Sequence, residues 1–156
     1  MKLLLTCSAG GHLTEMRQLA PFYSKHDHVF VTFQRDDTLS LSQYERVHFI
    51  SRPARHPIKT IQAFFRAWKI ISQEQPDLVI STGADVTVPV CLAAKIKGVP
   101  IVFIESFCRV TTPGWTGRII SPLADHVIYQ WKTLKKWYPS GIFGGSIFVR
   151  PGDDLG

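Results

Sequence analysis

The chain has 156 residues, 45% hydrophobic and 19% charged, which suits one packed domain and excludes a disordered chain. No run reaches the roughly 18–20 apolar residues of a membrane span, and Cys7, Cys91 and Cys108 lack the spacing of a disulfide framework or zinc site. The formal charge of +6 lies wholly in residues 46–73, where Arg46, Arg52, Arg55, Lys59, Arg66 and Lys69 meet no acid. A patch of one sign implies an anionic counterpart, either lipid headgroups, a phosphorylated substrate or nucleic acid. The first residues are too short for a signal peptide and run into a glycine loop, so a cytosolic chain is expected.

In chain order, a strand is predicted over 2–6, a helix over 13–23, and strands over 29–33 and 46–50. A helix over 58–73 ends at Pro76-Asp77, and a strand follows over 78–81. A helix over 86–97 stops at Gly98, then a strand spans 100–104. A helix over 116–123, a strand over 126–129 and a short helix over 132–138 complete the pattern. Continuous apolar strands alternating with helices predict an α/β, Rossmann-like parallel sheet covered by helices on both faces. Ligands of such sheets gather at the carboxyl ends of the strands. That singles out the loops at 8–12, 82–85 and 105–117.

Ser8-Ala9-Gly10-Gly11-His12 joins the first strand to the first helix. Its glycines let a ligand approach the backbone, and the helix start offers free N–H groups to phosphate or sugar oxygens. The dinucleotide fingerprint fails, because its register falls on Ser8, Gly10 and Leu13, and no P-loop G-K-[ST] follows. A tight turn that needs glycine only for geometry is the plain alternative. His12, as a neutral imidazole beside a ligand, can take a proton from a hydroxyl, or can simply tie down the loop. Glu15 is read as a structural complement to the first helical turn.

On the 58–73 helix, Lys59, Gln62, Arg66, Lys69 and Gln73 share an arc of about 80°. Ile58, Ile61, Phe64, Phe65, Trp68, Ile70, Ile71 and the alanines fill the remainder. That apolar arc is wider than packing on one sheet requires. A basic helix with Lys59, Phe64, Phe65, Arg66, Trp68 and Lys69 toward an anionic membrane surface is one reading. A deeply buried helix or a protein interface are the others. Nucleic acid is disfavoured, since the aromatics share the apolar face instead of alternating with the charges.

Glu105 follows a Val/Ile strand and is expected at the carboxyl edge, as a sugar-hydroxyl ligand or a base. Arg109 is expected to pair with Glu105 or to hold a phosphate. Cys108 is read as structural, and Trp115 as exposed.

Gly10-Gly11-His12 with Glu15-Met16, Glu105-Ser106-x-Cys108-Arg109-Val110, Ala124-Asp125, Gln130-Trp131 and Tyr138-Pro139 form an ordered series. It resembles the membrane-recruiting subunit of the two-part N-acetylglucosaminyltransferase of asparagine-linked glycosylation. It resembles still more that subunit's bacterial counterparts in exopolysaccharide and capsule synthesis, and more distantly the N-terminal half of MurG. The resemblance implies the acceptor-side N-terminal half of a GT-B glycosyltransferase over residues 1–148, with a tail at 149–156. It implies a separate donor-binding partner that holds the UDP-sugar, so neither a cofactor nor a metal is called for in this chain. It further implies inverting transfer to a polyprenyl-diphosphate-linked saccharide at the cytosolic membrane face. The eukaryotic members carry an N-terminal membrane helix that this sequence lacks, so peripheral attachment through the basic helix, without a transmembrane helix, is expected. His12 is then the first candidate base and Glu105 the second. Ser8, Gly10, Gly11 and Arg109 would hold the acceptor's phosphates. The alternative is a non-catalytic scaffold that brings the catalytic partner to the membrane.

Overall fold

The structure, a computed structural model, describes residues 1–148. It begins with β1 (Lys2–Cys7), α1 (Gly11–Gln18), α2 (Ala20–Tyr23), β2 (Asp27–Thr32), α3 (Asp36–Leu41) and β3 (Val47–Phe49). It continues with α4 (Pro57–Glu74), β4 (Leu78–Gly83), α5 (Thr87–Ile96), β5 (Ile101–Ile104) and α6 (Trp115–Ile120). β6 (His126–Tyr129), a 3-10 turn (Lys132–Lys136) and β7 (Ile142–Phe143) close the described chain. The strands form one sheet in the order β3-β2-β1-β4-β5-β6-β7, and every neighbouring pair is parallel.

The side-chain alternation of each strand explains why both faces are covered. Leu4, Val29, Val31, Val79, Ile101 and Phe103 face one layer, against Ala63, Ala67, Ile70 and Ile71 of α4 and Val90, Cys91 and Ala94 of α5. Leu3, Leu5, Phe30, Ile80 and Ile104 face the other, against Leu13 and Met16 of α1. The expected Rossmann-like sheet is therefore present, with helices on both sides.

Two local expectations are corrected, and two short elements are added. The helix expected over 13–23 breaks at Leu19, because Pro21 in the first turn of α2 cannot continue α1. The helix expected over 132–138 is a 3-10 turn. α3 and β7 were not expected from the sequence; at six and two residues they are too short to show a period. The expected tail at 149–156 lies outside the described residues.

Strand order places the site. β1 has β2 on one side and β4 on the other, so the chain leaves β1 and β4 in opposite directions and opens a crevice at their carboxyl ends. The glycine loop, Gly83 and the loop after β5 all reach this edge. α4 starts there too, since it follows the loop that leaves β3.

Candidate functional site

The glycine loop turns at Gly10, whose φ of 79° only glycine adopts cheaply. Gly11 opens α1 with an ordinary negative φ, and a Cβ at either glycine would meet nothing within 4 Å. Gly10 is thus explained by its backbone, whereas nothing among the described residues requires glycine at 11. The Gly10 N–H is already engaged: it donates to Asp37 at 2.6 Å, from the unexpected helix α3. Ser8 is buried, and its hydroxyl donates to the neighbouring Ala9 carbonyl at 3.1 Å, directed into the loop itself.

His12 sits across the crevice. Its Nδ1 lies 2.8 Å from the Thr82 carbonyl, and the Thr82 hydroxyl donates back to the His12 carbonyl at 2.9 Å. A carbonyl only accepts, so Nδ1 carries the proton and the neutral ring keeps its lone pair on Nε2. The imidazole lies over Gly83, where a Cβ would stand 3.5 Å from Cε1 and where φ is 100°. A half-buried histidine in a fixed tautomer, beside an open glycine loop, can accept a proton from a hydroxyl.

Glu105 is placed differently from expectation. It is 3% exposed, and its carboxylate accepts from the Ser106 N–H at 3.0 Å, the Gly114 N–H at 3.3 Å and the Tyr138 hydroxyl at 2.5 Å. Burial first, then the hydrogen bond to Glu105 and the charge of that carboxylate, push the Tyr138 phenol well above its usual range, so it remains a donor. The anticipated Glu105–Arg109 ion pair does not form; among the described residues neither takes part in an ion pair. Arg109 is exposed, with its guanidinium alongside Gly114.

Glu15 also departs from its expected part. It lies beyond the first turn of α1, is 3% exposed, and reaches the loop after β5. It accepts from the Ser106 hydroxyl at 2.7 Å, the Phe107 N–H at 3.2 Å and Gln130 Nε2 at 3.3 Å. Sequence reasoning quoted Ser106, Gln130 and Tyr138 as motif residues without a role. Nothing local to Glu15 shows that its partners lie about ninety or more positions away.

Cys7 and Cys91 are core thiols that burial pushes up to about 12. Cys108, expected to be structural, is on the surface.

In α4, Ala63, Ala67, Ile70 and Ile71 form a narrow buried stripe. Ile58, Ile61 and Phe65 are exposed by 61%, 56% and 65%, next to exposed Lys59, Arg66 and Lys69. Phe64 and Trp68 differ from the expected outward placement. Both are half-buried against the core, and Lys97 Nζ covers the Trp68 ring at 4.1 Å. Of the basic cluster, Arg46 pairs with Asp27 at 2.7 Å and Arg52 with Asp85 at 3.3 Å. Arg55, Lys59, Arg66 and Lys69 form no ion pair among the described residues. No helix among those residues is long and apolar enough to cross a membrane.

The chain resembles several known proteins. It is 28% identical to UDP-N-acetylglucosamine transferase subunit ALG14 of Mus musculus, over 94% of this chain and 83% of that one. It is 39% identical to the UDP-N-acetylglucosamine–N-acetylmuramyl-(pentapeptide) pyrophosphoryl-undecaprenol N-acetylglucosamine transferase of Clostridium perfringens, over 51% of this chain and 22% of the other. Its fold matches the crystal structure of Acinetobacter baumannii MurG with a TM-score of 0.72 at 19% identity, over 93% of this chain and 43% of that one. The chain thus spans less than half the length of MurG, and at that identity the likeness is one of fold. A family model described as "Oligosaccharide biosynthesis protein Alg14 like" matches residues 52–147. With more than half of its length matched, the chain belongs to the Alg14-like oligosaccharide biosynthesis family.

Proposed function

We propose that the chain is the acceptor-side half of a two-part GT-B glycosyltransferase, helping to move a sugar from a UDP-sugar to a saccharide on a polyprenyl diphosphate. Two relatives support the reading. One is named a subunit of a UDP-N-acetylglucosamine transferase, the other a transferase acting on a pyrophosphoryl-undecaprenol acceptor. The exopolysaccharide and capsule setting has no counterpart among the relatives named above, so the proposal stays with lipid-linked saccharides.

The observation that carries the reading is the His12–Thr82 pair beside Gly11. Among the described residues Nε2 meets no hydrogen-bond partner, and it lies next to a glycine that their packing does not demand. In the proposed step the acceptor hydroxyl gives its proton to His12 Nε2 while its oxygen forms the bond to the anomeric carbon. The bond to the UDP oxygen breaks with its electron pair, and the single displacement inverts the centre. Free N–H groups at the start of α1, with exposed Arg109, are assigned to the acceptor's phosphates. The UDP-sugar is assigned to the partner, and no metal or cofactor is assigned to this chain.

The membrane seat is assigned to the outer face of α4 over residues 58–69, where Ile58, Ile61 and Phe65 lie beside Lys59, Arg66 and Lys69. α4 starts at the carboxyl edge of the sheet, where the crevice also opens, which supports a seat that would keep a lipid-borne acceptor near the site.

A second reading, a scaffold that contributes no chemistry, is favoured by one observation: the other candidate base, Glu105, has its carboxylate enclosed by three donors. Reconstitution decides. Transfer from labelled UDP-sugars to lipid-linked acceptors is measured with this chain, with a candidate partner, and with both. Activity only with both supports the two-part enzyme, and activity from this chain alone refutes it. A His12→Ala variant that keeps full activity at normal complex yield leaves the scaffold.

A further inference from the structure

Glu15 and Glu105 are buried, and among the described residues their hydrogen-bond donors are all neutral: hydroxyls, amides and a phenol. One side chain joins them. Gln130, 4% exposed, donates from Nε2 to a Glu15 carboxylate oxygen at 3.3 Å and to the Glu105 backbone carbonyl at 3.0 Å. Its Oε1 accepts the Ile147 N–H at 2.8 Å. Two acceptors on one side and a donor on the other fix the amide in this orientation, since a flip would set like against like. Trp131 donates from Nε1 to the Phe107 carbonyl at 2.6 Å, and the Phe107 ring meets the Phe148 ring edge-on at 5.2 Å. The last described turn is therefore tied to the loop that carries Ser106 and Arg109 by one buried amide and by one ring contact.

We propose that Gln130 is a positioning residue that couples the chain segment at 147–148 to the loop after β5. The physical reason is the lack of slack. If the Ile147 N–H moves away, Oε1 is left unpaired in a buried site, and turning the amide to recover a partner strips Nε2 from both of its acceptors. Glu15 then loses one donor of a buried carboxylate, which is costly to leave short. Glu15 also holds the Ser106 hydroxyl and the Phe107 N–H, and Ser106 Oγ accepts the Cys108 N–H at 3.3 Å, so the loop loosens as a unit. A partner that grips the segment at 147–148 would conversely order the loop bearing Arg109. That consequence for transfer rests on the function proposed above; the coupling itself does not.

Amide hydrogen exchange on the full chain tests the coupling. Ile147→Pro removes the far N–H while leaving the Phe148 ring and every side chain of the loop in the sequence, and Gln130→Leu removes the link. Each is expected to speed exchange at Phe107 and Cys108 about tenfold or more, with β1 and β4 unchanged, and the double variant should match Gln130→Leu alone. Loop exchange unmoved by Ile147→Pro overturns the proposal, and so does additivity in the double variant. If Gln130→Leu also speeds exchange through β1 and β4, the fold is lost in that variant and Ile147→Pro alone decides. In a reconstituted transferase, Ile147→Pro should raise the acceptor KM several-fold. Absence of any transferase activity would sink the proposed function and leave the exchange result standing.

Discussion

His12 and Thr82 exchange two hydrogen bonds across the crevice between β1 and β4, ring to carbonyl at 2.8 Å and hydroxyl to carbonyl at 2.9 Å. The pair fixes both the tautomer and the place of the imidazole. His12→Ala should lower transfer by about 10²–10⁴-fold, the usual range for a lost general base, at normal complex yield. Thr82→Val keeps the carbonyl that sets the tautomer and should cost far less. Equal losses in the two variants would show that the ring matters for loop structure only.

The two loop glycines should separate fold from ligand. Gly10→Ala forces a side chain into φ 79°, at a cost of about 1 kcal/mol or more, and should lower Tm. Gly11→Ala meets open space and should leave Tm unchanged while raising the acceptor KM. A Gly11→Ala protein with wild-type KM would remove this loop from acceptor binding.

Gly117 lies against the Glu105–Tyr138 pair. A Cβ there would run into Glu105 Oε2 and the Tyr138 hydroxyl. Gly117→Ala should destabilise the fold by about 1–3 kcal/mol through overpacking, read as a lower urea midpoint. Tyr138→Phe removes a donor from a buried carboxylate and should destabilise in the same range. An unchanged midpoint in both variants would mean that this packed site is far more yielding than its contacts indicate.

Glu74, at the opposite edge of the sheet, accepts from His48 Nε2 at 2.6 Å and meets Lys2 Nζ at 2.7 Å. The His48 bond first, then Lys2, holds its carboxyl at about 2, below the ordinary 4.5. A depressed carboxylate stabilises the fold fully above its unfolded value, and the contribution declines as pH falls from about 4.5 toward about 2. Urea midpoints should therefore drop through that window. Glu74→Gln should start lower at neutral pH and show a shallower drop.

The α4 face should bind lipid by charge and by apolar contact. Each basic residue near an anionic surface contributes about 1 kcal/mol, so Arg66→Gln with Lys69→Gln should weaken binding to anionic vesicles by roughly tenfold or more. Phe65→Ser should weaken it further with little change in Tm, since that ring is 65% exposed. Sedimentation that is the same for all variants would take α4 out of membrane binding.

Periodicity and charge, both local properties, were enough to read much of this molecule. The apolar runs 2–6, 29–33 and 78–81 became neighbouring parallel strands, because only a sheet covered on both faces accepts continuous hydrophobic strands. The glycine loop was legible as a loop, but that Gly10 and not Gly11 takes the left-handed turn, at φ 79°, only the structure decides. α3 was not legible: six residues show no period, yet α3 supplies the Asp37 carboxylate that takes the Gly10 N–H. The outward set of α4 was half legible. A helical wheel shows that the apolar arc is wide, but the packing of α4 on α5 decides that Trp68 turns inward beneath Lys97 while Phe65 does not. Glu105 marks the limit most sharply. Its place at a strand end follows from the apolar run before it. That its oxygens are taken by Ser106, Gly114 and Tyr138, and not left for a ligand, depends on residues up to 33 positions away. Hydrogen-bond partners of a buried carboxylate are chosen by which backbone and side-chain donors the sheet order brings within about 3 Å, and no one-dimensional pattern encodes that distance.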